Sequence, residues 1–187
     1  ASDAATRRAI WKDLKDDERI LPEVAQAGAA VFEADGDEVR TRRILETALD
    51  AQLSPVLLQA YARCSPEHIP PRLERAESWL RQHPNDPDLL QALGTLCLCG
   101  RLWGPAQRYL ERSLSERDDP RTHALLASLY DRTDRAVEAV RHWRLATEAV
   151  IGLPVLKADE AVLFGPAAAR PQFESEEDVA PDRAAGL

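Results

Sequence analysis

The chain holds 187 residues at 44% apolar content, enough for one domain with its own core. Its formal charge of −8 argues against a phosphate-backbone binder, which needs a basic face, and against docking on an anionic membrane surface. No apolar run reaches the ~18–20 residues that cross a bilayer, and the charged start ASDAATRRAIWKDLKDDER lacks the apolar stretch of a secretory leader. The chain contains no Met, so it is read as part of a longer protein, with any membrane anchor outside it. Three cysteines, Cys64, Cys97 and Cys99, are too few and too odd in number for a disulfide framework and suit a reducing compartment.

Good helix formers dominate, no run alternates cleanly with period two, and apolar residues recur at spacings of three and four. Breakers at Pro22, Gly36, Pro55, Pro66, Pro70–Pro71, Pro84, Pro87, Gly100, Gly104, Pro120, Asp134 and Gly152 divide the chain. About nine helices are predicted, over 3–17, 21–34, 37–51, 55–63, 69–83, 87–99, 103–117, 120–132 and 136–150. The charged run from Lys12 to Arg19 reads as a solvated face of the first of them. Residues 153–187 differ in kind. They are rich in Pro and Ala, carry seven acidic residues against three basic ones, and are expected to form a flexible tail. Leu156, Val162, Leu163 and Phe164 form its one apolar cluster.

The helical region repeats. Shifted by 33 residues, Pro87 falls on Pro120, Leu93-Gly94 on Leu126-Ala127, Cys97 on Tyr130, Ala106 on Ala139, Leu110 on Trp143 and Ser113 on Ala146. A period near 34 built from two helices is the tetratricopeptide (TPR) signature. Small residues are needed where the two helices of a unit cross, and Gly94, Ala106, Ala127 and Ala139 supply them, with Ala146 a further packing residue. Leu90, Leu93, Trp103, Leu110, Leu126, Tyr130 and Trp143 fill the space between. Units are placed at 22–54, 55–86, 87–119 and 120–152, the second degenerate around SPEHIPP, with helix 3–17 and its Trp11 as an N-terminal cap. The fold expected for residues 1–152 is therefore all-α, a TPR-like right-handed superhelix of antiparallel helix pairs.

Catalytic signatures are missing. HExxH, GxSxG, GxxxxGK[ST] and GxGxxG do not occur. Cys97 and Cys99 lie about 200° apart around a helix and cannot chelate one ion together. His68, His83, His123 and His142 are scattered, and His123 sits where the repeat wants a large core residue. Cys64, in the turn Arg63-Cys64-Ser65-Pro66, is the best candidate for a reactive thiol. No catalytic residue and no metal site is assigned. The surface of interest is instead the concave one, lined by the first helix of each pair. Gln91, Thr95, Leu98 and Cys99 are expected to face it from the third unit, and Ala124, Ser128, Asp131 and Arg132 from the fourth. That mildly polar set lacks the basic residues and Asn that clamp a C-terminal carboxylate.

Residues 76–114 carry more than a generic repeat. They read AE-x-WL-x-x-HP (Ala76, Glu77, Trp79, Leu80, His83, Pro84), LL-x-x-LG (Leu89, Leu90, Leu93, Gly94), LWG-x-A (Leu102, Trp103, Gly104, Ala106) and YLE-x-SL (Tyr109, Leu110, Glu111, Ser113, Leu114). This string resembles the C-terminal region of the HemY family, proteobacterial membrane-anchored TPR proteins tied to haem biosynthesis. The following ALLASLYDRTDRAVEAVRHWR is similar to that family's last repeat. The resemblance spans residues 20–150 and is specific over 76–146. It implies a bacterial inner-membrane protein, anchored through segments absent here, with this domain on the cytoplasmic side and no assigned catalytic residue. A flavin-dependent oxidase that shares the family's name is excluded, because its dinucleotide motif is missing.

Several functions compete. The leading one is a non-catalytic scaffold that presents its groove to late haem-pathway enzymes. A second is direct binding of haem or porphyrin, with Cys99 or His123 as candidate ligands and nearby tryptophans to stack the macrocycle. A third is an adaptor of an unrelated envelope pathway, and a true enzyme is the least favoured. Self-association through exposed end helices is compatible with all of them.

Overall fold

Four prolines set the period of the fold. In the computed structural model, which describes residues 4–151, Pro22, Pro55, Pro87 and Pro120 each open a helix. Proline suits that first position because its missing N–H would have no partner there. The elements are α1 (Ala4–Asp13), α2 (Asp16–Arg19), α3 (Pro22–Ala34), α4 (Glu38–Ala51), α5 (Pro55–Tyr61), a 3-10 turn (Pro66–His68), α6 (Ile69–Gln82), α7 (Pro87–Cys99), α8 (Trp103–Glu116), α9 (Pro120–Arg132) and α10 (Ala136–Ile151). The described residues lie within one unit, Ala1–Leu153. The tail expected over 153–187 lies outside the described residues.

The fold is all-α and TPR-like, with ten α-helices where about nine were expected among the described residues. The extra one comes from the charged run. The backbone of Lys15 turns extended, at φ −74° and ψ 161°, and breaks the predicted helix 3–17. Glu18 then accepts the Lys15 N–H at 2.8 Å, so three acidic residues open a new helix at its positive end. Arg19, at the end of α2, donates to the carbonyls of Lys12 (2.9 Å) and Trp11 (3.3 Å). The run is solvated as expected, with Arg19 paired to Asp16 at 3.1 Å, and it is also a stop and restart signal.

Helices α3–α4, α7–α8 and α9–α10 pair closely, and the first helices α3, α5, α7 and α9 follow one another along one face. The turns within these pairs repeat as well. The N–H groups of Asp37, Leu102 and Arg135 reach back to the carbonyls of Phe32, Cys97 and Tyr130 at 2.9, 2.8 and 3.0 Å. Each turn contains one left-handed residue, Gly36 (φ 74°), Arg101 (φ 57°) and Asp134 (φ 57°). This is the Schellman ending, which satisfies carbonyls left over at a helix C-terminus.

The second unit departs from the pattern. α5 stops after two turns, at Tyr61 rather than Arg63, and its backbone does not pack closely on α6. Arg72 fills the gap. Its side chain is 1% exposed and donates to the carbonyls of Tyr61 and Arg63 and to the Glu38 carboxylate. The guanidinium also lies 5.0 Å from the centre of the Tyr61 ring. A buried cation therefore terminates the shortened helix in place of a turn.

Packing explains the small residues. A Cβ on Gly94 would stand 2.5 Å from Leu110 Cδ2, so α7 and α8 cross there only because the side chain is missing. Leu90, Leu93, Ala106, Leu110, Leu126, Ala127, Tyr130, Ala139 and Ala146 are buried, and Trp103 is half-buried. Trp143 is the exception at 43% exposed. Its helix is the last described, so among the described residues no further helix covers its outer face. Its indole N–H donates to Asp131 at 2.9 Å instead. At the other end α1 lies on α3 through Trp11, whose ring occupies the place a Gly28 Cβ would take, 2.1 Å from Cζ3. The same ring meets Phe32 edge-on at 6.4 Å.

Candidate functional site

Three successive first helices form an open groove of about 400 Å³. Pro55, Gln59, Ala62 and Arg63 line it from α5 and the residues after it. Asp88, Gln91, Ala92 and Thr95 come from α7, and Arg121, Ala124 and Leu125 from α9. The repeat accounts for these positions. Pro55, Asp88 and Arg121 are one row across the three helices, Gln59, Ala92 and Leu125 a second, and Ala62 and Thr95 a third. Small residues keep the floor open while the larger leucines turn inward.

Of the residues expected in the groove, the structure brings Gln91, Thr95 and Ala124 together there. Gln91 is mostly buried. Its amide donates to Thr122 Oγ1 at 2.7 Å and to Asp119 Oδ1 at 3.3 Å, so it ties α7 to α9. Thr95 donates to the Gln91 carbonyl at 2.9 Å. Leu98 lies half-buried against the core formed by Cys97, Leu126 and Leu129 rather than in the groove. Cys99, Asp131 and Arg132 are exposed and Ser128 is half-buried, and none of the four lines it. Asp131 faces Trp143 of α10, a second helix, because it is one turn too far along α9.

Arg63, Arg121, Gln59 and the floor alanines Ala62 and Ala92 were missed. The signal was present: carrying the 33-residue period back one unit places 55, 59 and 62 beside 88, 92 and 95. The degenerate letters of the second unit hid it.

The chemistry of the groove is that of contact. Asp88 accepts from both terminal guanidinium nitrogens of Arg117, at 2.9 and 2.6 Å, which ties the start of α7 to the residue just after α8 within the third unit. Cys97 is fully buried, and burial pushes its thiol up to about 11. Burial also raises the thiol of Cys64, so neither is activated as a nucleophile. Cys97 buried and Cys99 exposed point to different faces. No group of three His, Cys, Asp or Glu is disposed to hold a metal ion among the described residues. Both ring nitrogens of His123 are engaged, Nδ1 with His142 at 2.8 Å and Nε2 with Asp118 at 2.9 Å. His83 is exposed at the end of α6. A second, more apolar hollow of about 570 Å³ lies beside α1 and α3, along Ile10, Trp11, Val24 and Val31. No helix among the described residues is long and apolar enough to cross a membrane.

Among solved structures, MamA AMB-1 matches with a TM-score of 0.53 at 18% identity, over 80% of this chain and 96% of that one. MamA 41-end from Desulfovibrio magneticus RS-1 matches with a TM-score of 0.53 at 14% identity, over 82% of this chain and 98% of its own. MamA MSR-1 matches at 0.52 and 17% identity, over 80% and 92%. At such identities the likeness is one of fold, a TPR-like all-helical superhelix. No family model matches the chain, and no curated protein sequence does.

Proposed function

We propose that this chain is the TPR region of a non-catalytic protein-interaction scaffold of the HemY type. In this reading it presents its concave groove to late haem-pathway enzymes at the bacterial inner membrane, on the cytoplasmic side. Membrane attachment comes from segments outside these residues. The observation that carries the scaffold is the groove itself: three successive helices hold open a floor of Ala62, Ala92, Ala124 and Leu125, beside no activated nucleophile or general base. A surface kept open by small residues on rigid helices suits another protein's side chains. The link to haem rests on the strings AESWLRQHP and LWGPAQRYLERSL.

Direct haem ligation loses its candidates. His123 has no free ring nitrogen, and Cys99 stands outside the groove. The test is photocrosslinking in cells, with a benzoyl-phenylalanine at Gln59 or Ala124 and, as control, at Arg108 on α8. Crosslinks from the groove positions to inner-membrane haem enzymes are expected. Crosslinks from Arg108 alone would remove the groove as the contact surface. Groove crosslinks to proteins of another pathway would keep the scaffold and remove the haem assignment.

A further inference from the structure

The groove has a charge of its own, opposite to that of the chain. Each charged group on its wall has a partner except at two places. Asp88 is held by Arg117, the Gln91 amide by Thr122 and Asp119, and the Thr95 hydroxyl by a backbone carbonyl. Arg63 and Arg121 are exposed and line the groove, and neither guanidinium has a hydrogen-bond or ion-pair partner among the described residues. On a chain of net charge −8, the uncompensated charges at this surface are both positive. Some other arginines of the fold are spent on carboxylates, as Arg117 is on Asp88, Arg75 on Asp50 and Arg135 on Glu138; what sets Arg63 and Arg121 apart is their place on the groove.

The two also stand at opposite ends. First helices of successive units run in the same direction, and Arg63 follows the end of α5 whereas Arg121 begins α9. By the 33-residue register Arg63 is level with Leu129, eight residues beyond Arg121. Eight helical residues span roughly 12 Å. An extended chain needs about four residues to cover that distance, before the sideways offset between helices is added. Between the two cations lies the apolar floor.

We propose that this groove takes an acidic segment of a partner protein. Two Asp or Glu residues, four or more positions apart, are held by Arg63 and Arg121, and a small apolar side chain between them rests on Ala92, Ala124 and Leu125. The proposal rests on the scaffold reading and adds the partner's chemistry. A basic segment would meet two like charges, and a neutral one would leave both guanidiniums without a partner in a partly desolvated contact. Guanidinium also suits carboxylate better than ammonium does, because two of its N–H groups align with the two oxygens. Because both arginines are exposed, the attraction weakens with salt.

The experiment is selection of a displayed library of random short peptides on the full chain, followed by anisotropy titration of the enriched peptides. Four proteins are compared: the unaltered chain, R63E/R121E, and Ala124→Trp and Gln59→Trp, each of which fills the floor. Circular dichroism checks that each is folded. The expected result is peptides with two spaced acidic residues. Their affinity falls about tenfold or more in R63E/R121E and is lost in both tryptophan variants. Replacing their acids by Lys restores binding to R63E/R121E. Neutral or basic peptides that are lost in the tryptophan variants but ignore the arginines would overturn the acidic partner and leave the groove standing. Peptides that ignore both tryptophan variants would overturn the groove and the scaffold reading with it. A change in oligomeric state in R63E/R121E, with peptide binding unaltered, would make the occupant a second copy of this chain and overturn the proposal.

Discussion

His123 Nδ1 lies 2.8 Å from His142 Nδ1, and His123 Nε2 lies 2.9 Å from a carboxylate oxygen of Asp118. A hydrogen bond between two ring nitrogens needs one with its proton and one without. The carboxylate fixes a proton on His123 Nε2, so in the neutral pair His142 Nδ1–H donates and His123 Nδ1 accepts. This polar chain runs from the start of α9 to the middle of α10, where the repeat elsewhere uses apolar packing. His142 also stacks against Tyr130 at 5.4 Å.

The pair makes the last described helix pH-sensitive. Burial, then the neighbouring His123 and then Arg141 hold His142 below its ordinary value of 6.5, against a weaker upward pull from Glu111. The unfolded chain therefore takes up a proton near 6.5 that the folded chain resists. Stability is complete above that value and declines as pH falls through the lower folded value. The urea midpoint is expected to be lower at pH 5.5 than at pH 7.5. His142→Tyr, which restores the residue found one repeat earlier at Tyr109, is expected to remove most of that difference. An equal pH dependence in the variant would show that the pair is not its source.

Gly94 and Gly28 touch neighbours in the same way but at different places in the chain. Gly94→Ala sets a Cβ 2.5 Å from Leu110 in the core, with a global cost of about 1–3 kcal/mol expected. Gly28→Ala meets Trp11 on α1, the first described helix, and should displace that helix while the repeats stay folded. Limited proteolysis separates the two: G28A should lose residues before Pro22 early, whereas G94A should show a lower midpoint for the whole chain.

Arg72→Leu removes a cation that holds two carbonyls and the Glu38 carboxylate at a fully buried position. Losing one member of a buried ion pair costs about 3–5 kcal/mol. Glu38→Gln should cost less, because Glu38 is 23% exposed and its amide oxygen still accepts. Denaturant melts of the two variants test the order, and a near-neutral R72L would mean that apolar filling alone sustains the shortened α5.

Arg101 and Asp134 take the left-handed backbone that Gly36 takes in the first turn. That conformation costs a residue with a side chain about 1–2 kcal/mol, part of which glycine returns as chain entropy. Arg101→Gly is expected to raise stability by about 0.5–1 kcal/mol and Gly36→Ala to lower it by about 1 kcal/mol. Thermal melts would contradict this if the two changes moved the midpoint in the same direction.

Period and element type were legible because they depend on local chemistry. Proline opens the first helix of each unit every 32 or 33 residues, and a turn-forming residue and a small residue at the crossing recur between the third unit and the fourth. They lead to a helical superhelix of paired helices, with Cys97 and Cys99 on different faces. Tertiary structure decided what depends on residues far apart. Trp143 reads as core by alignment with Leu110, yet exposure depends on whether another helix covers it, and among the described residues none does. Arg72 reads as one more charge on a helix, but the space left by a short α5 makes it the most buried cation among the described residues. Asp131 falls outside the groove and Arg63 inside it because a lining is set by three helices side by side. The second of these carries its repeat in backbone geometry more than in letters. The two unpaired arginines follow the same logic: pairing is a property of neighbours in space, and only the packed helices show that Asp88 already belongs to Arg117.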